Sequence, residues 1–331
     1  MAETAYSHIA ILGAGAWGTA LAAIAARAGR RVTLWGRDGG LLVDITAGEN
    51  PRYLPGIELP EDISVTTTLA VAAGGEAIIL AAPAQETRAL LTQLAPLLRA
   101  PTPLVIAAKG MEQGSGRLMN EIVAEAAPGH PAAMLSGPSF AREVASGQPT
   151  AVTIAAPDGI AGRLQATLST PSFRPYASDD VTGVALGGAA KNVYAIACGV
   201  VDGLVLGENA RAALLARSFA ELARLGTALG ARAETLMGLS GLGDLVLTAT
   251  SDASRNFAAG VELGRGKSAA VLAAPGHPLA EGLATAPALV ARARAAKIEL
   301  PIAEAMADLI TETLPLSEAV ARLMTRKLTT E

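Results

Sequence analysis

Lys191 stands in Val184-Ala185-Leu186-Gly187-Gly188-Ala189-Ala190-Lys191-Asn192-Val193-Tyr194-Ala195, a stretch otherwise nearly devoid of charge. A lysine in apolar surroundings is disfavoured as the cation, and its pKa drops toward the range in which an amine can trade a proton near neutral pH. Gly187 and Gly188, one turn earlier, clear room for a ligand, and Asn192 adds a neutral polar neighbour. A lysine that snorkels to water is the competing reading. Further on, Gly238-Leu239-Ser240-Gly241-Leu242-Gly243-Asp244-Leu245 is a glycine-rich turn that presents Asp244 at the start of a helix. A carboxylate is favourable there even without a partner. Ser251-Asp252-Ala253-Ser254-Arg255-Asn256 begins another helix, where hydroxyl, guanidinium, amide and free N–H groups can converge on a phosphate.

A second kind of chemistry is written near the start of the chain. Gly13-Ala14-Gly15-Ala16-Trp17-Gly18 follows the apolar run Ile9 to Leu12 and opens the alanine-rich stretch from Thr19 to Gly29. In such a strand–turn–helix unit Gly13 allows the tight turn, Gly15 lets a pyrophosphate approach the backbone, and Gly18 lets the helix pack on the strand. Arg31 to Trp35 reads as the second strand of a βαβ unit, and its tip is Trp35-Gly36-Arg37-Asp38. An NAD-selective site usually ends this strand in an acidic residue, whereas Arg37 can clamp a ribose phosphate, so NADP is favoured with NAD also open. The plainer reading of Arg37 is a solvated arginine paired with Asp38.

These groups need a scaffold. Short runs at Ile63 to Thr66, Ala77 to Ala81, Leu104 to Ile106, Ala132 to Leu135 and Ala151 to Ile154 alternate with helical stretches, as in a doubly wound parallel sheet. Ligands of such sheets lie beyond the carboxyl ends of the strands. Ala82 to Gln85, Ala108 to Glu112 and Ser136-Gly137-Pro138-Ser139-Phe140-Ala141 fall at that rim, and Ser139 is either a ligand hydroxyl or an ordinary helix cap. From about Ser178 the rhythm turns helical, with segments at 179–206, 210–229, 245–264, 285–297 and 302–309. The expected architecture is α/β: a Rossmann-like doubly wound domain over 1–178, a short loop near Tyr176 to Asp180, and an all-helical substrate domain over 179–331. The active site is expected in the cleft between the domains.

Composition bounds the partners. The chain has 331 residues, enough for about two cores, and 51% apolar against 3% aromatic residues leaves the packing to Ala, Leu and Val. A net charge of −4 provides no basic field for nucleic acid. Cys198 has no partner for an internal disulfide, which fits a reducing cytoplasm. Met1 to Ser7 carries no export signal, and the most apolar stretch, Val181 to Val201, is split by Lys191 and Asn192 into uncharged pieces too short to span a membrane. His8, His130 and His277 read as loop or edge residues, which argues against a histidine–carboxylate proton carrier, and no metal site is expected.

Taken in order, Gly13 to Gly18, Trp35-Gly36-Arg37, Lys109-Gly110, Gly137 to Ala141, Lys191 to Ala195, Gly241 to Leu245, Ser254 to Asn256 and Glu281-Gly282 resemble bacterial-type NAD(P)-dependent glycerol-3-phosphate dehydrogenases over essentially the whole chain. The resemblance implies reversible interconversion of dihydroxyacetone phosphate and sn-glycerol 3-phosphate, feeding glycerophospholipid synthesis. It implies cofactor contacts at Ala16, Trp17, Arg37, Lys109, Ala141, Arg255, Leu279 and Glu281. It implies substrate contacts at Lys109, Gly137, Ser139, Asp244, Ser254, Arg255 and Asn256, with Lys191 as proton carrier and also in contact with substrate. A homodimer is expected on the same ground. Two positions depart from the family pattern: Ala16 stands where serine is common, and Leu283-Ala284-Thr285 where an arginine often follows the Glu-Gly pair. The alternatives are a β-hydroxyacid dehydrogenase of the 6-phosphogluconate or hydroxyisobutyrate type, whose substrates are carboxylates, and a non-catalytic nucleotide sensor.

Overall fold

The computed structural model describes residues 4–99, 101–157 and 159–324, so Met1 to Glu3 and the last seven residues of the expected helical domain lie outside the described residues. The chain divides into two compact units, one of Met1–Ala108 with Met119–Ala185 and one of Lys109–Leu118 with Leu186–Glu331.

The first unit is built on strands, the central ones apolar runs too short for helices. They are β1 (His8–Leu12), β2 (Arg31–Trp35), β3 (Glu49–Asn50), β4 (Leu54–Glu58), β5 (Ile63–Thr66), β6 (Ala77–Leu80), β7 (Leu104–Ile106), β8 (Ala132–Ser136), β9 (Thr150–Ala155) and β10 (Phe173–Ser178). Eight of them form a sheet in the order β10-β9-β8-β7-β6-β1-β2-β5, parallel throughout except between β8 and β9. The crossovers carry α1 (Ala16–Arg27), α2 (Gly39–Thr46), α3 (Leu69–Ala72), α4 (Thr87–Leu94), α5 (Met119–Ala126), α6 (Ala141–Ala145) and α7 (Ile160–Leu168). From β1 the chain goes to β2 on one side and reaches β6 on the other, so strand order reverses at β1/β6, where doubly wound sheets bind ligands. The buried side chains of Ile9, Ile11, Leu34, Ile79 and Val105 belong to one apolar cluster with the alanines of α1.

One element and one residue differ from expectation. Phe173–Ser178, expected to lead into a joining loop, is the edge strand β10, and its Pro175 is tolerated because an edge strand leaves one side unpaired. Between α2 and β5, β3 and β4 pair as an antiparallel hairpin. His8 is no loose edge residue: it opens β1, is buried, and its ring nitrogens lie 3.1 Å from Gly74 O and 2.9 Å from Thr33 Oγ1.

The second unit is built from helices. They are α8 (Val181–Gly203, of which residues from Leu186 belong here), α9 (Glu208–Ala228), α10 (Ala233–Met237), α11 (Asp244–Ala249), α12 (Arg255–Gly264), α13 (Ala269–Leu272), α14 (Glu281–Ala295), α15 (Pro301–Ile310) and α16 (Leu316–Met324). Within the helical stretch 245–264, α11 ends at Ala249 and α12 begins at Arg255, inside the stretch 251–256 expected to open a helix, and Ser254 caps α12 by accepting from Phe257 N–H at 3.2 Å. Lys191 and Asn192 interrupt the apolar run of α8 but not its helix. Among the described residues α8 is the one helix long and apolar enough to cross a membrane, and 94% of its most apolar window is buried inside the protein. Its glycines allow close packing on α12. A Cβ on Gly199 would meet Phe257 O at 2.1 Å, and one on Gly260 would meet Ile196 O at 2.1 Å.

Candidate active site

Glycines bring the reactive groups of the second unit together. Gly187 packs on the π-helical turn Leu239–Gly243 so closely that a Cβ would lie 2.7 Å from Ser240 O. Gly241 faces the backbone of α10, where a Cβ would lie 2.0 Å from Leu236 O. Gly187 therefore seats a turn rather than clearing room for a ligand. That turn ends on Asp244, the first residue of α11, and places its carboxylate beside Lys191. Lys191 Nζ donates to Asp244 Oδ1 at 2.6 Å, and Lys109 Nζ donates to Asp244 Oδ2 at 2.7 Å. Lys191 is 6% exposed and Asp244 1%, so the amine does not snorkel. Thr248, one helical turn after Asp244, accepts from Lys191 Nζ at 2.7 Å and donates to Asp244 Oδ1 at 3.2 Å.

The electrostatics follow from burial and neighbours. Burial lowers the Lys191 pKa to about 8, with the positive charges of Lys109 and Arg255 pushing the same way and Asp244 opposing them. For Asp244 burial alone would raise the pKa, but the two lysines outweigh it and hold the carboxyl below its ordinary value. The cluster is thus an anion held between two cations, one of them poised near neutral pH.

Beside it, Ser254 is buried at the N-cap of α12, and Arg255, exposed, and Asn256, half-buried, follow in the first turn. Asn256 Nδ2 donates to Asn192 Oδ1 at 2.9 Å. Glu281 opens α14, and Leu279 lies two residues before it, largely exposed. Leu283 and Thr285, at the family departure, are buried in α14. Lys109, expected at the sheet rim, groups with this unit through Asp244 and through its carbonyl, which accepts from Asn192 Nδ2 at 2.7 Å.

The remaining expected site residues lie in the first unit. Gly13 has φ +119°, and a Cβ there would meet the backbone of Ala81 and Ala82 at 3.0 Å. A Cβ on Gly18 would overlap Gly13 O at 1.8 Å, so both positions exclude any side chain. A Cβ on Gly15 would meet nothing within 4 Å. Gly15 is the N-cap of α1, and no side chain caps this end among the described residues. Free N–H groups, a helix dipole and open space fit a dinucleotide pyrophosphate, with Ala16 and Trp17 in the first turn. Arg37 follows β2 and lies 3.8 Å from Glu86, not beside Asp38, which instead caps α2 and pairs with Arg52 at 3.3 Å. Ser139 does not cap α6: its hydroxyl donates to Gly137 O at 2.9 Å, the N-cap is Phe140, and Ala141 opens the helix.

Thr248 was not among the expected residues. Its spacing of four from Asp244 on a helix was the available signal, but threonine at that spacing is too common to stand out.

The N-terminal model of the NAD-dependent glycerol-3-phosphate dehydrogenases matches residues 8–161, and the C-terminal model matches residues 180–321. A glycerol-3-phosphate dehydrogenase (NAD(P)+) of Bradyrhizobium sp. (strain ORS 278) is 56% identical over 310 residues, 93% of each chain. One from Rhodospirillum rubrum is 54% identical over 92% of this chain and 88% of its own. The crystal structure of glycerol-3-phosphate dehydrogenase from Coxiella burnetii superposes with a TM-score of 0.91 at 39% identity, over 97% of this chain and 99% of the other. With both halves matched in order, the chain belongs to the NAD-dependent glycerol-3-phosphate dehydrogenase family.

Proposed function

We infer that this protein is an NAD(P)-dependent sn-glycerol-3-phosphate dehydrogenase that interconverts dihydroxyacetone phosphate and sn-glycerol 3-phosphate, supplying the latter for glycerophospholipid synthesis. The observation that carries this reading is the buried Lys191–Asp244–Lys109 cluster, with the Arg255 charge felt at Lys191. Three cations against one anion suit a ketone that bears a phosphate dianion. In the reducing direction the dihydronicotinamide supplies the hydride that reaches the ketone carbon. The carbonyl oxygen gathers negative charge as this happens, and Lys191 gives it the proton. Lys109 polarises the same oxygen, and Asp244 keeps both ammonium groups aimed. Ser254, Arg255 and Asn256 hold the phosphate, so binding energy far from the reacting carbon orients it.

The dinucleotide is held by the glycine turn Gly13 to Gly18 and by Arg37, which favours NADP, with Ala141, Leu279 and Glu281 as further contacts. Gly137 and Ser139 complete the substrate set. A dinucleotide domain over 1–178 and a substrate domain over 179–331 divide the work, with Lys109 lent to the substrate side. The net charge of −4 speaks against a nucleic-acid partner, the lone Cys198 supports a cytoplasmic protein, Lys191 and Asn192 in the most apolar stretch speak against a membrane partner, and the family resemblance with the prevalence of two-fold oligomers supports a homodimer.

Cofactor oxidation followed at 340 nm with dihydroxyacetone phosphate, dihydroxyacetone and a panel of β-keto carboxylates tests the reading. Turnover should be confined to the phosphorylated ketone. Turnover only with the carboxylates, or with none of them, would overturn it.

A further inference from the structure

Beside the lysine cluster runs a chain of carboxamide hydrogen bonds that carries no proton in the reaction. Asn192 Nδ2 donates to the Lys109 carbonyl at 2.7 Å, Asn256 Nδ2 donates to Asn192 Oδ1 at 2.9 Å, and the Gly282 N–H donates to Asn256 Oδ1 at 2.9 Å. Both ends are main chain. A carbonyl can only accept and an N–H can only donate, so each amide has one satisfied orientation. Turning either over would set donor against donor and acceptor against acceptor at a site where Asn192 is 3% exposed. Gly282 is held against the same partner, since a Cβ there would lie 2.6 Å from Asn192 O.

We propose that Asn192 is a positioning residue for the reaction, joined with Asn256 in an amide relay that ties the phosphate end of the substrate site to the main chain of Lys109 and to the first turn of α14. The proposal rests on the reading of Asn256 as a phosphate ligand. An amide nitrogen carries two hydrogens. One on Asn256 goes to Asn192, and the other is left for a phosphate oxygen. A phosphate seated there holds Asn256 in the orientation that Asn192 needs, and Asn192 in turn fixes the Lys109 backbone, from which the second arm of the Asp244 clamp projects. At the far end, Asn256 Oδ1 takes an N–H from the first turn of α14, a group with no partner inside its own helix. The relay therefore sets the helix start that carries Glu281 as well.

Steady-state kinetics of Asn192→Ala, Asn256→Ala and the double variant, all in the full-length enzyme, test the coupling. Residues of one network are non-additive, so Asn192→Ala should cost kcat about 10- to 100-fold in the otherwise wild-type enzyme and no more than about 3-fold in the Asn256→Ala background. The same factor in both backgrounds overturns the relay. Hydrogen exchange of the segment 280–284 supplies a readout independent of substrate. Asn192→Ala should speed exchange at Gly282 while leaving the strand 9–12 as protected as before, and an unchanged Gly282 overturns the proposal. Asn192→Asp keeps an acceptor for Asn256 and loses the donor to Lys109, so it should restore protection at Gly282 without restoring kcat. Recovery of kcat in that variant also overturns it. A wild-type enzyme inactive on dihydroxyacetone phosphate would sink the dehydrogenase reading, whereas an active one with independent variants would sink only the relay.

Discussion

Lys191 Nζ donates to Asp244 Oδ1 at 2.6 Å, and the other oxygen of that carboxylate is already taken by Lys109 at 2.7 Å. One buried anion thus aligns two cations, and neither lysine can be moved without unbalancing the other.

Removing the anion should therefore be as damaging as removing the proton carrier. Lys191→Ala should lower kcat by about 10²-fold or more, the usual weight of a positioned acid–base group. Asp244→Asn keeps the shape but leaves two ammonium groups facing each other without compensation, and a loss of similar size is expected. Breaking a buried pair destabilises by about 3–5 kcal/mol, so denaturant melts must accompany the kinetics. Near-normal turnover in either variant removes that residue from its role.

The pH dependence has a definite sign. Lys191, lowered to about 8, must be protonated to reduce the ketone and neutral to oxidise the alcohol. The reduction rate should fall as pH rises through about 8, and the oxidation rate should rise through the same region. Stability follows the same group. Between about 8 and its ordinary 10.5 the unfolded chain binds the proton more tightly, so this lysine makes the protein gain stability as pH rises over that window. Parallel pH profiles in the two directions would assign the proton to another group.

The glycine turn was legible because its three glycines answer three separate steric demands, and the structure gives Gly13 and Gly18 no room for a side chain while leaving Gly15 open. Lys191 and Asp244 stood out as charges in apolar or glycine-rich surroundings, a mismatch that sequence displays directly. Their meeting was not legible, because it depends on how Gly187 seats the turn at Ser240, and no local pattern encodes a contact between residues so far apart. Lys109 is the same case: its segment follows β7 in sequence, but its partners are Asp244 and Asn192. Strand β10 was hidden by Pro175, which removes a donor without harm only at a sheet edge. For Arg37 the sequence suggested the adjacent Asp38, whereas the cap of α2 and Arg52 claim that carboxylate and leave Arg37 beside Glu86.

Close packing of α8 on α12 makes a sharp stability prediction. Gly199→Ala and Gly260→Ala each place a methyl 2.1 Å from a backbone oxygen of the facing helix, and backbone cannot swing aside as a side chain can. Each should cost about 1–3 kcal/mol or more, against the gain that alanine normally brings to a helix interior. Gly39→Ala, whose nearest neighbour would be Thr67 Cγ2 at 4.0 Å, is the control and should change stability by no more than about 0.5 kcal/mol. Urea midpoints that rank the three variants alike would contradict the packing argument.

Cofactor choice should turn on Arg37 and its neighbour. The Arg37–Glu86 pair is 3.8 Å apart with side chains 78% and 53% exposed, so it is worth at most about 1 kcal/mol and does not lock the guanidinium away. A ribose phosphate offers a charge-assisted, bidentate partner that outcompetes such a contact. Arg37→Ala should reduce the kcat/KM ratio of NADPH over NADH by about 10-fold or more, chiefly through KM for NADPH, since the lost interaction is made equally in ground and transition states. Glu86→Gln should move the ratio the other way by a few-fold, because the competing charge is gone while the side chain keeps its size. An NADPH-to-NADH ratio unaltered by Arg37→Ala would return this residue to the role of a solvated arginine at the strand tip.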